Sequence, residues 1–281
     1  MISKERQIQL REEYNPEGSL LRQHQHRMLY ILEVVSKLCD QAGIQYWLTH
    51  GTLLGAVRHG GFIPWDDDID ICIFRKDIKK FRRLMVKELP ENLILQCHKT
   101  DNNYYHPYLK IRDLNSEMQE TGDEDLNYKN KGIYIDVFPV EKSHLTFVKY
   151  SYIIWGRILY KHILPKRVTT FRLVLNKLCY TFFTIIFSIC RLLDCIIPSK
   201  KWNLPYGCYI ATAPGGFEDN DVIPPHVNKS VVFEGRCYSC PNDVDSYLRK
   251  CYGDYNKLPR TDEIEPHIEG IRIWGDTPVN V

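Results

Sequence analysis

Apolar residues recur every three to four positions over residues 19–42, SLLRQHQHRMLYILEVVSKLCDQA. Met28, Ile31, Leu32, Val35 and Leu38 share one face and Gly43 suits the C-terminal cap, which predicts an amphipathic helix. The period then shortens to two in IQYWLT, with Ile44, Tyr46 and Leu48 on one side of a strand. His50-Gly51-Thr52 reads as a tight turn, with a short helix, TLLGAVRH, starting at Thr52. GGFIPW is a loop, DIDICIF a strand, and DIKKFRRLMVKEL a helix with Asp77 at its N-cap. Two strands are expected near LILQCH and YLKIRDL, then an acidic loop, QETGDEDLNYKNK, and the strongly alternating GIYIDVFPV. Residues 149–201 form a helical, basic and aromatic insert. The tail returns to one short strand, SVVFEGRCY, and a helix near DVDSYLRKCYG. This order predicts an α/β (α+β) chain with a mixed sheet flanked by helices: a core over 1–148, the insert over 149–201, and a return to the core over 202–281.

The 281 residues, 44% hydrophobic and 26% charged, suffice for a substantial core of ordinary globular composition. The polar start, MISKERQIQLREEY, does not read as a secretory signal, and ten scattered Cys then suit reduced thiols in the cytoplasm. Cys237 and Cys240 make a lone C-x-x-C with no second pair at zinc spacing. The net charge of +2 is unevenly spread: residues 149–201 hold ten Lys or Arg against one acid, Asp194. That segment therefore carries +9 and the rest of the chain −7, so the two parts face different partners.

One stretch departs from ordinary patterning. In HGTLLGAVRHGGFIPWDDDIDICIF, four Asp (Asp66, Asp67, Asp68 and Asp70) fall within five residues, directly ahead of an apolar run. Like charges so close repel, and Asp is a poor strand former. Side chains at i and i+2 of a strand project from one face, so Asp68 and Asp70 point together while Ile69, Ile71 and Ile73 fill the other. A hard divalent cation between them turns repulsion into attraction: Mg²⁺, with Mn²⁺ as a substitute, binds through one or two carboxylates and substrate phosphates. Asp66 keeps the same parity and is a third ligand or a water-holder; Asp67 has the opposite parity. In GIYIDVFPV, Tyr134, Asp136 and Phe138 share the face opposite Ile133, Ile135 and Val137. If that strand neighbours DIDIC, Asp136 joins the cluster as a ligand or a general base. The reading requires the Asp136 carboxyl to lie beside those of Asp68 and Asp70, and not against a Lys or Arg. Upstream, the N–H groups of a helix start at Gly51-Thr52 suit a phosphate, with Arg58, His59, Lys110 and Arg112 as further phosphate-facing candidates. A lone D-x-D is most often a solvated turn; within an apolar run, and with Gly51-Thr52 and Asp136 in order around it, it reads as a metal-and-phosphate site.

These same residues carry a family resemblance. YWLTHGTLLGAVRHGGFIPWDDDIDI resembles the signature of the LicD family, the phosphocholine transferases related to fukutin and fukutin-related protein, within the nucleotidyltransferase-fold superfamily. KGIYIDVFPV and FEGRCYSCPNDVDSYLRKCYGDYNKLP continue it, so that it spans roughly residues 24–260 apart from the insert. The superfamily pattern is a Gly-Gly/Ser turn, a D-x-D strand and a third acid on a later strand. It maps onto Gly51-Thr52, Asp68 and Asp70, and Asp136, with Thr52 in place of the usual Ser; the family's acidic run also implicates Asp66. The resemblance implies a nucleotidyltransferase-like fold. It also implies transfer of a phospho-substituent from a CDP-activated donor, typically CDP-choline, to a hydroxyl of a cell-surface glycan such as lipopolysaccharide, capsule or teichoic acid.

A choline head group wants aromatic faces, and Trp65, Tyr134 and Phe138 lie beside the carboxylates in sequence. Within the insert, LCYTFFTIIFSIC is thirteen uncharged residues, short of the roughly 20 that span a bilayer. Flanked by Lys and Arg, it suits either a helix at an anionic membrane surface, on the inner face, or a subdomain packed on the core. Nucleic acid is a poor partner, since the positive charge is mixed with aliphatic and aromatic residues. Two other readings keep the same residues: a nucleotidyltransferase releasing pyrophosphate, and a membrane-attached metal-binding scaffold without turnover.

Overall fold

The computed structural model describes residues 2–104, 106, 108–120, 128–142, 169–197, 201–203, 217–219, 229–260, 264 and 268–275. Its chain opens with a helix that periodicity does not predict, α1 (Lys4–Tyr14), capped by the Ser3 side chain accepting from the Arg6 N–H. The amphipathic helix α2 (Leu20–Gln41) begins where its pattern does, because the Ser19 hydroxyl accepts from the Arg22 N–H at 3.1 Å. It ends where Gly43 turns left-handed at φ +59°. Strand β1 (Tyr46–Leu48) runs into α3 (His50–His59) and then β2 (Asp70–Phe74). Next come α4 (Ile78–Glu88), β3 (Leu93–Gln96), β4 (Leu109–Asp113), β5 (Ser116–Glu120) and β6 (Tyr134–Lys142). After them come α5 (Thr170–Ile196), β7 (Lys201–Asn203), β8 (Phe217–Asp219), β9 (Lys229–Phe233), β10 (Arg236–Cys240), α6 (Val244–Tyr252) and β11 (Ile268–Ile273).

The described strands build a mixed sheet in the order β1-β2-β6-β4-β3, extended from β6 through β7 to β8. Among the described strands only β2 and β6 pair in parallel; their neighbours are antiparallel. Leu48, Ile71, Val137, Ile111 and Ile135 are buried in one continuous core with Ile31, Leu32 and Val35 of α2 and Phe81 and Met85 of α4. The α/β class expected from the element order is therefore the one observed.

Five local expectations are corrected. The helix after β1 begins at His50, with Thr49 as N-cap, so Gly51 and Thr52 lie inside its first turn. Strand β2 begins at Asp70, leaving Asp68 on the approach to it, and both its faces are buried, Cys72 and Phe74 as completely as Ile71 and Ile73. Asp77 precedes α4 but makes no side-chain cap, because residues 75–77 already form a tight 3₁₀ turn. The expected acidic loop overlaps, at Gln119 and Glu120, the end of an unexpected strand, β5, which pairs with β11, more than 140 residues later and beyond the reach of local patterning. Finally, SVVFEGRCY is a hairpin, β9 and β10, turned by Glu234 (φ +47°) and Gly235 (φ +81°) in the two-residue geometry that matches strand twist. The Glu234 carboxylate then ties the hairpin down: it accepts from Arg22 Nη2 at 2.8 Å and from the Phe62 N–H at 3.1 Å, and lies 3.5 Å from Arg11.

Within the predicted insert, residues 149–168 and 198–200 lie outside the described residues. Helix α5 confirms a long helix there. Phe171, Val174, Leu178, Phe182, Ile185, Ile189, Leu192 and Ile196 recur along it at steps of three and four, each between 47% and 75% exposed. Among the described residues no helix is long and apolar enough to cross a membrane.

Candidate active site

Backbone register assembles the site. Asp70 of β2 sits directly opposite Asp136 of β6, Asp136 opposite Lys110 of β4, and Lys110 opposite Gln96 of β3. One row of the sheet thus carries Gln96, Lys110, Asp136 and Asp70 across four strands. The flanking cross-strand partner is Arg112 with Tyr134. On the other flank Tyr108 packs against Phe138 with ring centroids 4.6 Å apart. A buried polar row of this kind is costly unless its members are partnered.

Two hydrogen bonds lock the start of α3 to this row. The Thr49 N–H donates to the Asp70 carbonyl at 3.1 Å, and the Asp70 N–H donates to Thr52 Oγ1 at 2.8 Å. The Thr52 hydroxyl oxygen thereby helps fix Asp70 by accepting, while its own O–H still has a proton to donate. The acidic run is held from α2: His24 Nε2 meets the Asp67 carbonyl at 2.9 Å and Gln25 Nε2 donates to the Asp66 carbonyl at 2.9 Å. The Asp66 carboxylate folds back over the first turn of α3. A Cβ added at Gly51 would stand 3.1 Å from Asp66 Oδ2, so Gly51 is there to let that carboxylate approach. His24 and Gln25 were not among the sequence candidates. Two polar residues amid the apolar pattern of α2 were the available signal.

The electrostatics converge on Asp70. Burial, followed by the charges of Asp68, Asp136 and Asp66, pushes its carboxyl well above the usual carboxylate range, and Lys110 only partly opposes them. The requirement on Asp136 is met in one half only. It does lie beside Asp70, but Lys110 Nζ stands 3.2 Å from Asp136 Oδ1, with both side chains nearly buried. Lys110 at Asp136 and the Arg58 charge acting on Asp66 offset part of the repulsion among the four carboxylates. Such a set of hard oxygen donors suits Mg²⁺ or Mn²⁺ in kind. Among the described residues, however, no three His, Cys, Asp or Glu side chains converge into a preformed metal cage.

The other expected binding residues carry contacts of the fold, and of these Arg58 also feels the Asp66 charge while Arg112 flanks the row. Arg112 is fully buried, donating to Gln96 Oε1 at 2.5 Å and to the Gly132 carbonyl at 2.8 Å, with Tyr134 under its guanidinium at 4.6 Å. Arg58 donates to His59 Nε2 at 2.8 Å and to the carbonyls of Tyr255 and Lys257, which anchors the segment after α6. Burial and the neighbouring Arg58 charge hold His59 at about 3, so it is neutral at physiological pH. Trp65 packs on Tyr14 and His59, at 5.1 and 6.1 Å between centroids. The choline cage of Trp65, Tyr134 and Phe138 is not formed. Lys110 lies 3.2 Å from the Tyr134 centroid, and Phe138 is taken up by Tyr108 and His50. Cys237 and Cys240 are free thiols with no metal cluster around them among the described residues.

Residues 43–172 match the model of the LicD/FKTN/FKRP nucleotidyltransferase domain. The chain carries a LicD-family domain. Along nearly its whole length it is similar to the lipopolysaccharide cholinephosphotransferase LicD of Haemophilus influenzae: 28% identical over 263 residues, 88% of this chain and 95% of that protein. Similarity to the human ribitol 5-phosphate transferase FKRP is higher but local, 49% over 45 residues, or 16% of this chain and 9% of that one. The yeast mannosyltransferase regulator 4 is 28% identical over 120 residues, 41% of this chain and 10% of that protein. The LicD-family match includes the α3–β2 turn, the acidic run and β6, the same elements that the sheet register brings together.

Proposed function

We propose that the chain is a transferase that moves a substituted phosphoryl group from a CDP-activated donor to a hydroxyl of a cell-surface glycan, as its match to the LicD-family domain and its similarity to a cholinephosphotransferase along most of the chain support. The observation that carries the reading is the register of Asp70 against Asp136, beside a helix start tied to Asp70 through Thr52. In the transfer, the acceptor oxygen forms a bond to the donor's distal phosphorus and the bond from that phosphorus to the CMP oxygen breaks. The hydroxyl proton goes to a carboxylate of the cluster, Asp136 or Asp66. Asp68, Asp70 and Asp136 are the residues that would hold Mg²⁺ or Mn²⁺, whose contribution is to neutralise charge on the diphosphate. Lys110 meets part of the same need from the protein side. The N–H groups in the first turn of α3, including Gly51, orient the diphosphate for in-line attack.

The acceptor is expected at a lipid surface, near the inner face of the membrane. The exposed apolar ridge of α5 supports this, together with the excess of Lys and Arg over acids in residues 149–201. Phosphocholine is the first group to test because of the full-length relative, although the occupied faces of Tyr134 and Phe138 favour a carrier without a quaternary ammonium. The deciding experiment incubates the protein with Mg²⁺ and a panel of CDP-activated donors and nucleoside triphosphates, with a lipid-linked glycan as acceptor. Release of CMP is expected. Release of pyrophosphate from a triphosphate would replace the reading by the nucleotidyl transfer that the domain's description also suggests. Silence with every donor would leave a scaffold.

A further inference from the structure

His50 is used by nothing above, and its geometry is unusual. It opens α3 at φ +49°, a left-handed conformation that a side-chain-bearing residue adopts at a cost, and its ring is buried. The ring stands edge-on to Phe138, 5.8 Å between centroids, two residues along the same face of β6 from Asp136. Its Nδ1 meets Tyr247 Oη at 3.4 Å, and Tyr247 Oη in turn meets Thr49 Oγ1 at 2.5 Å. Nε2, on the other side of the ring, is buried with no hydrogen-bond partner among the described residues. Burial holds the imidazole at about 3, so it is neutral throughout the physiological range.

A neutral imidazole carries one proton. Either oxygen donates in the Thr49–Tyr247 pair; where Thr49 donates to Tyr247 and the Tyr247 hydroxyl to Nδ1, the ring proton resides on Nε2, an N–H donor with no acceptor among the described residues. A strained backbone and a buried ring nitrogen without a hydrogen-bond partner among the described residues are together a poor bargain for stability and a good one for a ligand oxygen. We infer that His50 Nε2–H donates a hydrogen bond to a phosphoryl oxygen of the donor diphosphate, completing the ring of N–H groups at the start of α3. Thr49 and Tyr247 act as positioning residues that hold the ring in that tautomer. This rests on the diphosphate reading proposed above.

The test measures binding of CDP, and of cytidine as a phosphate-free control, in the presence of Mg²⁺ by calorimetry. His50→Asn tolerates the positive φ and keeps a group near Tyr247 but lacks an atom at Nε2. His50→Gln restores an amide N–H near that position. His50→Asn is expected to weaken CDP by about tenfold or more, with cytidine unchanged and His50→Gln within about threefold of wild type. CDP binding that is equal in wild type and His50→Asn overturns the inference and leaves the proposed function standing. Failure of wild type to bind CDP overturns both. Should His50→Asn not fold, the ¹⁵N resonance of His50 Nε2 in the wild type decides. It must report a protonated nitrogen and move on addition of CDP but not of cytidine; a resonance indifferent to CDP sinks the inference.

Discussion

The row around Asp70 and the ridge of α5 break the inside-outside rule in opposite directions. In the first, carboxylates and Lys110 are taken out of water; in the second, aliphatic and aromatic side chains are left in it. Both arrangements cost the isolated protein something, the first in stability and the second in solubility. The cost is localised differently. The buried row is over-determined: Thr52 fixes the Asp70 amide, α2 fixes the acidic run, and cross-strand register fixes Asp136 and Lys110. The ridge follows helix periodicity along an exposed face. A site that orients reacting atoms needs the former, whereas a face that meets a fluid surface needs only the latter.

The largest expected effect breaks the comparison on the buried side. Asp70→Asn keeps the volume and the backbone bond to Thr52 but removes the charge on which the other carboxylates act. Turnover, followed by nucleotide release, should fall by roughly 10²–10³-fold, the scale of losing one preorganised electrostatic group. The variant should also melt higher than the wild type without added metal, because a destabilised charge has been removed. Full turnover with the neutral side chain would mean that the row is structural.

That opposition of activity and stability is also what made the row visible in the sequence. Asp68, Asp70 and Asp136 stand out because they interrupt apolar alternation; parity chose their faces, and the adjacency of the two strands, left as a condition, is met by the register of Asp70 against Asp136. What it missed are long-range effects. The pairing of β5 with β11 and the Glu234 clamp on α1 and α2 depend on contacts far apart in the chain, which no local period encodes. Arg58 and Arg112 were expected to face phosphate on the strength of their charge. Both are spent on carbonyls and side chains of the fold, since a guanidinium serves as a structural donor as readily as a ligand-binding one. The helix start was misjudged by two residues because His50 adopts a positive φ, which sequence patterns assign to Gly or Asn.

A smaller effect is expected on the exposed side. Wild-type protein should float with vesicles containing anionic lipid and less with neutral ones. Phe182→Glu combined with Ile189→Glu should cut the bound fraction by about tenfold, through lost apolar contact and added repulsion. Circular dichroism should be unchanged, as both positions are exposed. Equal flotation of the double variant and wild type, or none by either, would remove the lipid surface as the partner of α5 and return the ridge to packing against another protein segment.

The smallest effect sharpens the comparison through pH. Asp70 has its folded-state affinity for a proton raised, so the native state holds that proton at pH values where the unfolded chain has released it. Its charge therefore destabilises the fold at neutral pH, and the penalty fades as pH falls through the raised value. Burial lowers His24, His50, His59, His98 and His106, which act in the opposite sense: the unfolded state gains their protons first, and stability drops below about pH 6.5. The wild-type curve mixes the two trends, but subtracting the curve for Asp70→Asn cancels the histidines. The remaining difference, read from urea unfolding without added metal, should favour the variant at pH 7.5 and shrink as pH falls towards 5.5. Mg²⁺ should reduce it at pH 7.5 by stabilising only the protein that retains the charge. A difference that stays constant with pH would mean that Asp70 is already neutral across the range, and that its three acidic neighbours carry the anionic character of the row without it.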